Sequence, residues 1–168
     1  MFYKVKRTIV SILTGVLLMA AYWIYAINKV QSGTVAADDL KFWATTMLIF
    51  IGIGIVAVII IQIIFHILLS IALAVKQQVQ TGKSDDKEIE KALELDMVED
   101  EMDKLIELKS MRVGFVIAGI GLVAALVSLV LNFSPAVMIN IIFASFYIGS
   151  LIEGITQLYY YKKGIKNG

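Results

Sequence analysis

Four long apolar stretches divide the chain, and polar or charged residues bound each of them. A helix needs about 20 apolar residues to cross the hydrocarbon core of a membrane. The pattern therefore predicts an all-α integral membrane protein, a single membrane domain over residues 1–168, with four transmembrane helices. The predicted spans are 8–27, 43–75, 113–131 and 136–158.

The second apolar stretch is unusually long, because no charged residue occurs from Phe42 to Val75. As a helix it would measure about 50 Å, against about 30 Å for the hydrocarbon core. The second helix is therefore expected either to tilt strongly or to continue past the inner headgroups, and we favour the continuation.

The hydrophilic segment from Lys76 to Arg112 contains seven Lys/Arg and eleven Asp/Glu. Apolar residues recur at intervals of three and four, which predicts a cytoplasmic amphipathic helix over about 85–111, between spans 2 and 3. It would pack on the membrane surface, on the extended second helix or on a second copy of the chain. These apolar residues are Ile89, Ala92, Leu95, Val98, Met102 and Leu105.

The connection between spans 3 and 4 is only a few residues long. Ser134 suits the N-cap of a helix and Pro135, the one proline, suits its first position. A tight turn is expected, so the four spans would form two hairpins.

Positive charges are distributed very unevenly. Of the 15 Lys/Arg residues, Lys29 and Lys41 lie in the loop after span 1, and the others lie at the termini or in the middle segment. Cytoplasmic loops are enriched in Lys and Arg. The distribution predicts that both termini and the middle segment are cytoplasmic.

Composition narrows the possible chemistry. The chain is 59% hydrophobic with a mean hydropathy of +0.83, and it has no cysteine and one histidine. Disulfides, thiolate nucleophiles and Cys- or His-rich metal centres are thereby excluded. We expect no cofactor, no bound metal and, at a net charge of +1, no nucleic-acid partner.

Glu153 is the only acidic residue inside a predicted span. A charge there costs at least about 2.5 to 3.5 kcal/mol. Together with Gln157 one turn later, and with Gln62 and His66 of the second span, it forms a candidate intramembrane site for a cation, a proton or a substrate. Alternatively, Glu153 makes a structural hydrogen bond between helices or reaches the inner interface, while His66 lies at headgroup level.

Two further patterns concern contacts between helices or proteins. Small residues four apart, Gly121 with Ala125 and Ser145 with Gly149, predict close helix packing. Acidic residues four apart form a candidate partner-contact face, although such a run is also typical of a solvated surface. These acidic residues are Glu99, Asp103 and Glu107.

The acidic segment resembles a known motif. The pattern Asp100-Glu101-x-Asp103-x-Leu105-Ile106-x-x-Lys109-x-x-Arg112, directly before an apolar helix, resembles one in uncharacterised small four-span membrane proteins of bacteria and archaea. The similarity extends from about Glu99 to the third span, and those proteins tend to have a basic residue where this chain has Met102. The resemblance implies a multi-pass protein of the prokaryotic cytoplasmic membrane and no particular activity.

Two functions are compatible with these observations. The first is a non-enzymatic membrane protein that acts through protein–protein contacts of the acidic helix, as an accessory, sensory or immunity-type component, with a second copy or a membrane or cytoplasmic protein as partner. The second is a small transporter or channel that uses Glu153 and His66. An enzyme is not expected, because the spans contain no Ser/His/Asp or paired-carboxylate arrangement.

Overall fold

The computed structural model describes residues 2–81 and 101–164, and within these ranges it contains only α-helices. Each helix is long and apolar enough to cross a membrane, which confirms the four predicted elements. Three of the predicted spans lie inside one helix each, and the third span, 113–131, extends one residue beyond the end of its helix. The helices are α1 (Phe2–Gln31), α2 (Leu40–Thr81), α3 (Glu101–Val130) and α4 (Pro135–Lys163).

Short connections join α1 to α2 and α3 to α4 at one end of the molecule, called here the loop end. The opposite end, which has the first residues of α1 and the last of α4, is called the terminal end. In the first connection Gly33 has a φ of 70°. Asp39 is the N-cap residue of α2, because its carboxylate accepts a hydrogen bond from the backbone N–H of Phe42 at 3.0 Å.

The turn between α3 and α4 has the hydrogen bonds of a Schellman motif. Phe133 N–H donates to the Ser128 carbonyl and Asn132 N–H to the Leu129 carbonyl, both at 3.0 Å. Asn132 has a φ of 63°, in the left-handed region that asparagine tolerates better than most residues. Ser134 is the N-cap residue and Pro135 follows it, as predicted, although the Ser134 side chain makes no capping hydrogen bond.

Helix α2 contains 42 residues and is therefore about 63 Å long. The predicted long second helix is thus present as one continuous element. Beyond its middle it has exposed apolar side chains over a broad face, such as Ile63, Ile64 and Leu68.

The predicted amphipathic helix over 85–111 is described only in its last part. Residues 82–100 lie outside the described ranges. From Glu101 onward the chain forms the first turns of α3 and continues without a break into the predicted third span.

Helices α3 and α4 are in very close contact through small residues. A Cβ atom on Gly149 would lie 2.7 Å from the Gly114 carbonyl oxygen, and one on Gly114 would lie 2.9 Å from the Gly149 carbonyl oxygen. A Cβ atom on Gly121 would overlap the Ser145 side chain. The predicted close packing is confirmed, since only glycine lets these backbones approach so closely.

An aromatic core near the loop end joins α1, α2 and α4. Tyr22 is 1% exposed, and its ring centroid lies 4.6 Å from that of Phe143 and 5.5 Å from that of Phe50. The Tyr22 hydroxyl donates a hydrogen bond to Asn140 Oδ1 at 2.7 Å, which satisfies a buried polar group. The buried residues of this core are Tyr22, Ala26, Trp43, Met47, Ala136 and Phe143.

Candidate functional site

A half-open cavity of about 770 Å³ lies between α1, α2 and α4, with the beginning of α3 at its terminal end. Part of its lining is exposed, including Ile55, Ile59 and Phe146. Gly54 of α2 lies close to both neighbouring helices here, because a Cβ atom on it would be 3.6 Å from Leu18 Cδ1 and 3.8 Å from the Tyr147 hydroxyl. The aromatic core thus holds the three helices together near the loop end, and the cavity extends from Gly54 toward the terminal end.

Three polar residues on three helices lie at one level of this cavity. A Cβ atom added to Gly54 would contact Leu18 and Tyr147, so these three residues mark a common reference level along the helix axes. At 1.5 Å per residue, Ser11 lies about 10 Å, Glu153 about 9 Å and Gln62 about 12 Å from that level toward the terminal end. All three line the cavity.

Several polar side chains that line the cavity lack partners. Ser11 and Ser150, which are exposed, and Gln62, which is half-buried, make no hydrogen bond to any residue in the described part of the chain. By contrast, Thr8 Oγ1 and Gln157 Oε1 are 3.2 Å apart and hydrogen bonded, which joins α1 to α4. The cavity therefore presents polar groups that a bound molecule or water could satisfy.

Glu153 lies where the cavity meets the α3–α4 contact. A Cβ atom on Gly114 would be 3.1 Å from Glu153 Oε2, so the carboxylate lies beside the α3 backbone. The side chain is partly buried and belongs to no ion pair among the described residues. It is therefore an uncompensated carboxylate within an apolar helix.

The terminal end of the cavity has a balanced set of charges. Lys4 Nζ and Asp103 Oδ2 form an ion pair at 2.8 Å, with 13% of each side chain exposed. Arg7 and Glu107 also line this end and are exposed. The two positive and two negative side chains cancel formally, and Glu153 is the remaining acidic side chain of the lining.

The structure brings together three of the four residues predicted for the intramembrane site. Glu153, Gln62 and Gln157 line one cavity. His66 is exposed and is not among the residues of this lining. A pairing of Glu153 with His66 is thus not part of the site.

Two residues of the predicted partner-contact face lie at the cavity and do not simply project into solvent. Asp103 pairs with Lys4, and both Asp103 and Glu107 contribute to the cavity. Glu99 lies outside the described residues. Whether the face binds a partner stays a prediction.

The α1 residues of the site were not predicted from the sequence. Arg7, Ser11 and Thr14 recur at intervals of four and three, and all three line the cavity. This stripe of polar residues on one face of an apolar helix is the sequence pattern that could have identified them as lining a polar site.

Within the described ranges no group of three or more His, Cys, Asp or Glu residues could hold a metal ion. In comparisons with protein-family models, curated proteins and solved structures, nothing matches this chain.

Proposed function

We propose that the protein is a non-enzymatic, multi-pass membrane protein that binds a small solute in the cavity and acts as a small transporter or channel. The observation that supports this most directly is the cavity of about 770 Å³, lined by polar side chains without partners among the described residues, between helices of spanning length.

Polar and charged groups are costly to place in hydrocarbon. In membrane helices, ionisable side chains face the protein interior or a water-filled cavity and mark substrate or ion pathways. Glu153, Gln62 and Ser11 have this arrangement, because they come from three helices and line a shared cavity. A purely structural role would instead leave these groups hydrogen bonded to one another.

We further propose that the terminal end lies in the cytoplasm of a prokaryotic cell and that the four helices cross its cytoplasmic membrane as two hairpins. The excess of Lys and Arg at the termini and in the middle segment supports this orientation. The charged end of the cavity would then face the cytoplasm.

The test is whether water-soluble reagents reach the cavity. Because the chain has no cysteine, single cysteines can be introduced at Ser11 in the lining and at Leu13, which is 58% exposed and not part of the lining. In proteoliposomes, a charged methanethiosulfonate reagent should modify Ser11→Cys at least about tenfold faster than Leu13→Cys, since thiolates form only where water is present. Equal, slow modification of both variants would contradict a hydrated binding cavity.

A second candidate function is binding of a protein partner, or of a second copy, by the acidic beginning of α3. Exposed Glu101, Glu107 and Leu108 in its first turns favour this candidate. Glu107→Lys tests it, because this change reverses one exposed charge and leaves the Lys4–Asp103 pair intact. A partner that co-purifies with the wild type and with this variant alike would count against the acidic face.

A further inference from the structure

We propose that the solute is a monovalent organic cation with an apolar body, and that Glu153 is the carboxylate that binds its charge. This inference depends on the proposed function, because it assigns a ligand class to the same cavity. Charge, wall composition and size each support it.

Charge points to a cation. Lys4 and Asp103 neutralise each other at 2.8 Å, and Arg7 is offset by Glu107 at the exposed end. Glu153 lies one helical turn deeper than Gln157, which bonds to α1. A ligand at the level of Glu153 therefore meets one carboxyl group without a basic partner among the described residues.

The wall around Glu153 is apolar toward the loop end. A charge with a full hydration shell would lose water on entering this region, whereas an organic cation would place its hydrocarbon against the wall. Aromatic side chains in the lining are also compatible with a cation. The apolar and aromatic lining includes Leu18, Ile55, Val58, Ile59, Phe146 and Tyr147.

The size of the cavity favours a ligand larger than an inorganic ion. One water occupies about 30 Å³ in the liquid, so a cavity of 770 Å³ is much larger than a bare inorganic ion requires. Tight binding of a metal ion would also need several anionic or His ligands, and the described residues contain no such group. The ligand is therefore a molecule with one positive charge and considerable apolar surface.

The test compares two probes of the same shape and different charge, phenyltrimethylammonium and tert-butylbenzene. Binding to the full chain in lipid nanodiscs is measured by equilibrium dialysis against protein-free nanodiscs of the same lipid. Close charge pairs at the lower end of measured coupling energies correspond to about a tenfold preference. The wild type should bind the cation at least about tenfold more tightly than its neutral isostere.

Variants of Glu153 test whether this carboxyl group causes the preference for the cationic probe. Glu153→Gln should reduce the affinity for phenyltrimethylammonium about tenfold and leave tert-butylbenzene unaffected, whereas Glu153→Asp keeps the charge and should keep the preference. Asp38→Asn is the matched control, because it removes an exposed negative charge that does not line the cavity. Its affinity for the cation should stay within about twofold of the wild type.

The outcomes separate the ligand class from the cavity function. If the wild type binds both probes equally, the cavity binds solutes but the cation assignment is wrong. If neither probe binds above the lipid background, the cation assignment is also overturned, and the cysteine modification experiment then decides whether the cavity is hydrated. Retention of the tenfold preference in Glu153→Gln would refute the role of this carboxylate even though a cation binds.

Discussion

The contact between α3 and α4 predicts that an added methyl group at Gly114 separates the two helices. A Cβ atom there would lie 2.9 Å from the Gly149 carbonyl oxygen and 3.1 Å from Glu153 Oε2, whereas ordinary contacts begin near 3.4 Å. The backbones must therefore move apart by about 0.5 Å, enough to lose about a quarter of the dispersion energy of the contacts on this face. We expect Gly114→Ala to lower the free energy of unfolding by about 1–3 kcal/mol.

Gly119→Ala is the matched control for this prediction. Gly119 lies in the same helix, and a Cβ atom on it would meet nothing within 4 Å. Both variants gain the same helix propensity, about 1 kcal/mol relative to glycine, so their difference isolates the helix contact. The measurement is reversible unfolding in mixed micelles with increasing SDS, followed by tryptophan fluorescence. If Gly114→Ala is as stable as Gly119→Ala, the close backbone contact is not a feature of the folded protein.

Three other predictions use the same cysteine-free chain. Tyr22→Phe should lower the free energy of unfolding by about 0.5–1.5 kcal/mol, because it removes a buried hydrogen bond. Tyr25 is exposed, so Tyr25→Phe should have no measurable effect, and equal losses in the two variants would contradict the aromatic core. Asn132→Ala should lower the free energy of unfolding by about 1 kcal/mol, because alanine is strained at this positive φ, whereas Asn132→Gly should not lower it. Identical unfolding curves for the two variants would argue against the left-handed turn. Ser32→Cys and Lys163→Cys should react with an impermeant maleimide only from opposite faces of the membrane, and labelling from one face would contradict the proposed topology.

The helices could be predicted from the sequence because their determinants are local. A run of about 20 apolar residues defines a spanning helix whatever its neighbours are. The same holds for the turn at Ser134 and Pro135, where the preference of each residue type for its position is independent of the rest of the fold. The long second helix likewise follows from the uncharged stretch between Phe42 and Val75.

The cavity could be predicted only in part, because it depends on how helices from distant parts of the chain are aligned. Glu153 and Gln62 were identified as polar residues in apolar stretches, but nothing local indicates that Ser11 lies at their level. His66 follows Gln62 by one helical turn and was expected on the same site, yet it lies outside the lining. The acidic residue Asp103 was expected to project toward a partner, and its ion pair with Lys4 joins two helices that have no local relation.

The aromatic core holds α2 near one of its ends, so the rest of this helix can tilt around that point like a lever. From Gly54 to the end at Thr81 the lever arm is about 40 Å, and Gln62 lies about 12 Å along it. A tilt of about 5° around Gly54 would move the end of α2 by about 3.5 Å and Gln62 by about 1 Å. The width of the cavity could thus change by roughly half the radius of a methyl group while the glycine contact between α3 and α4 stays unaltered.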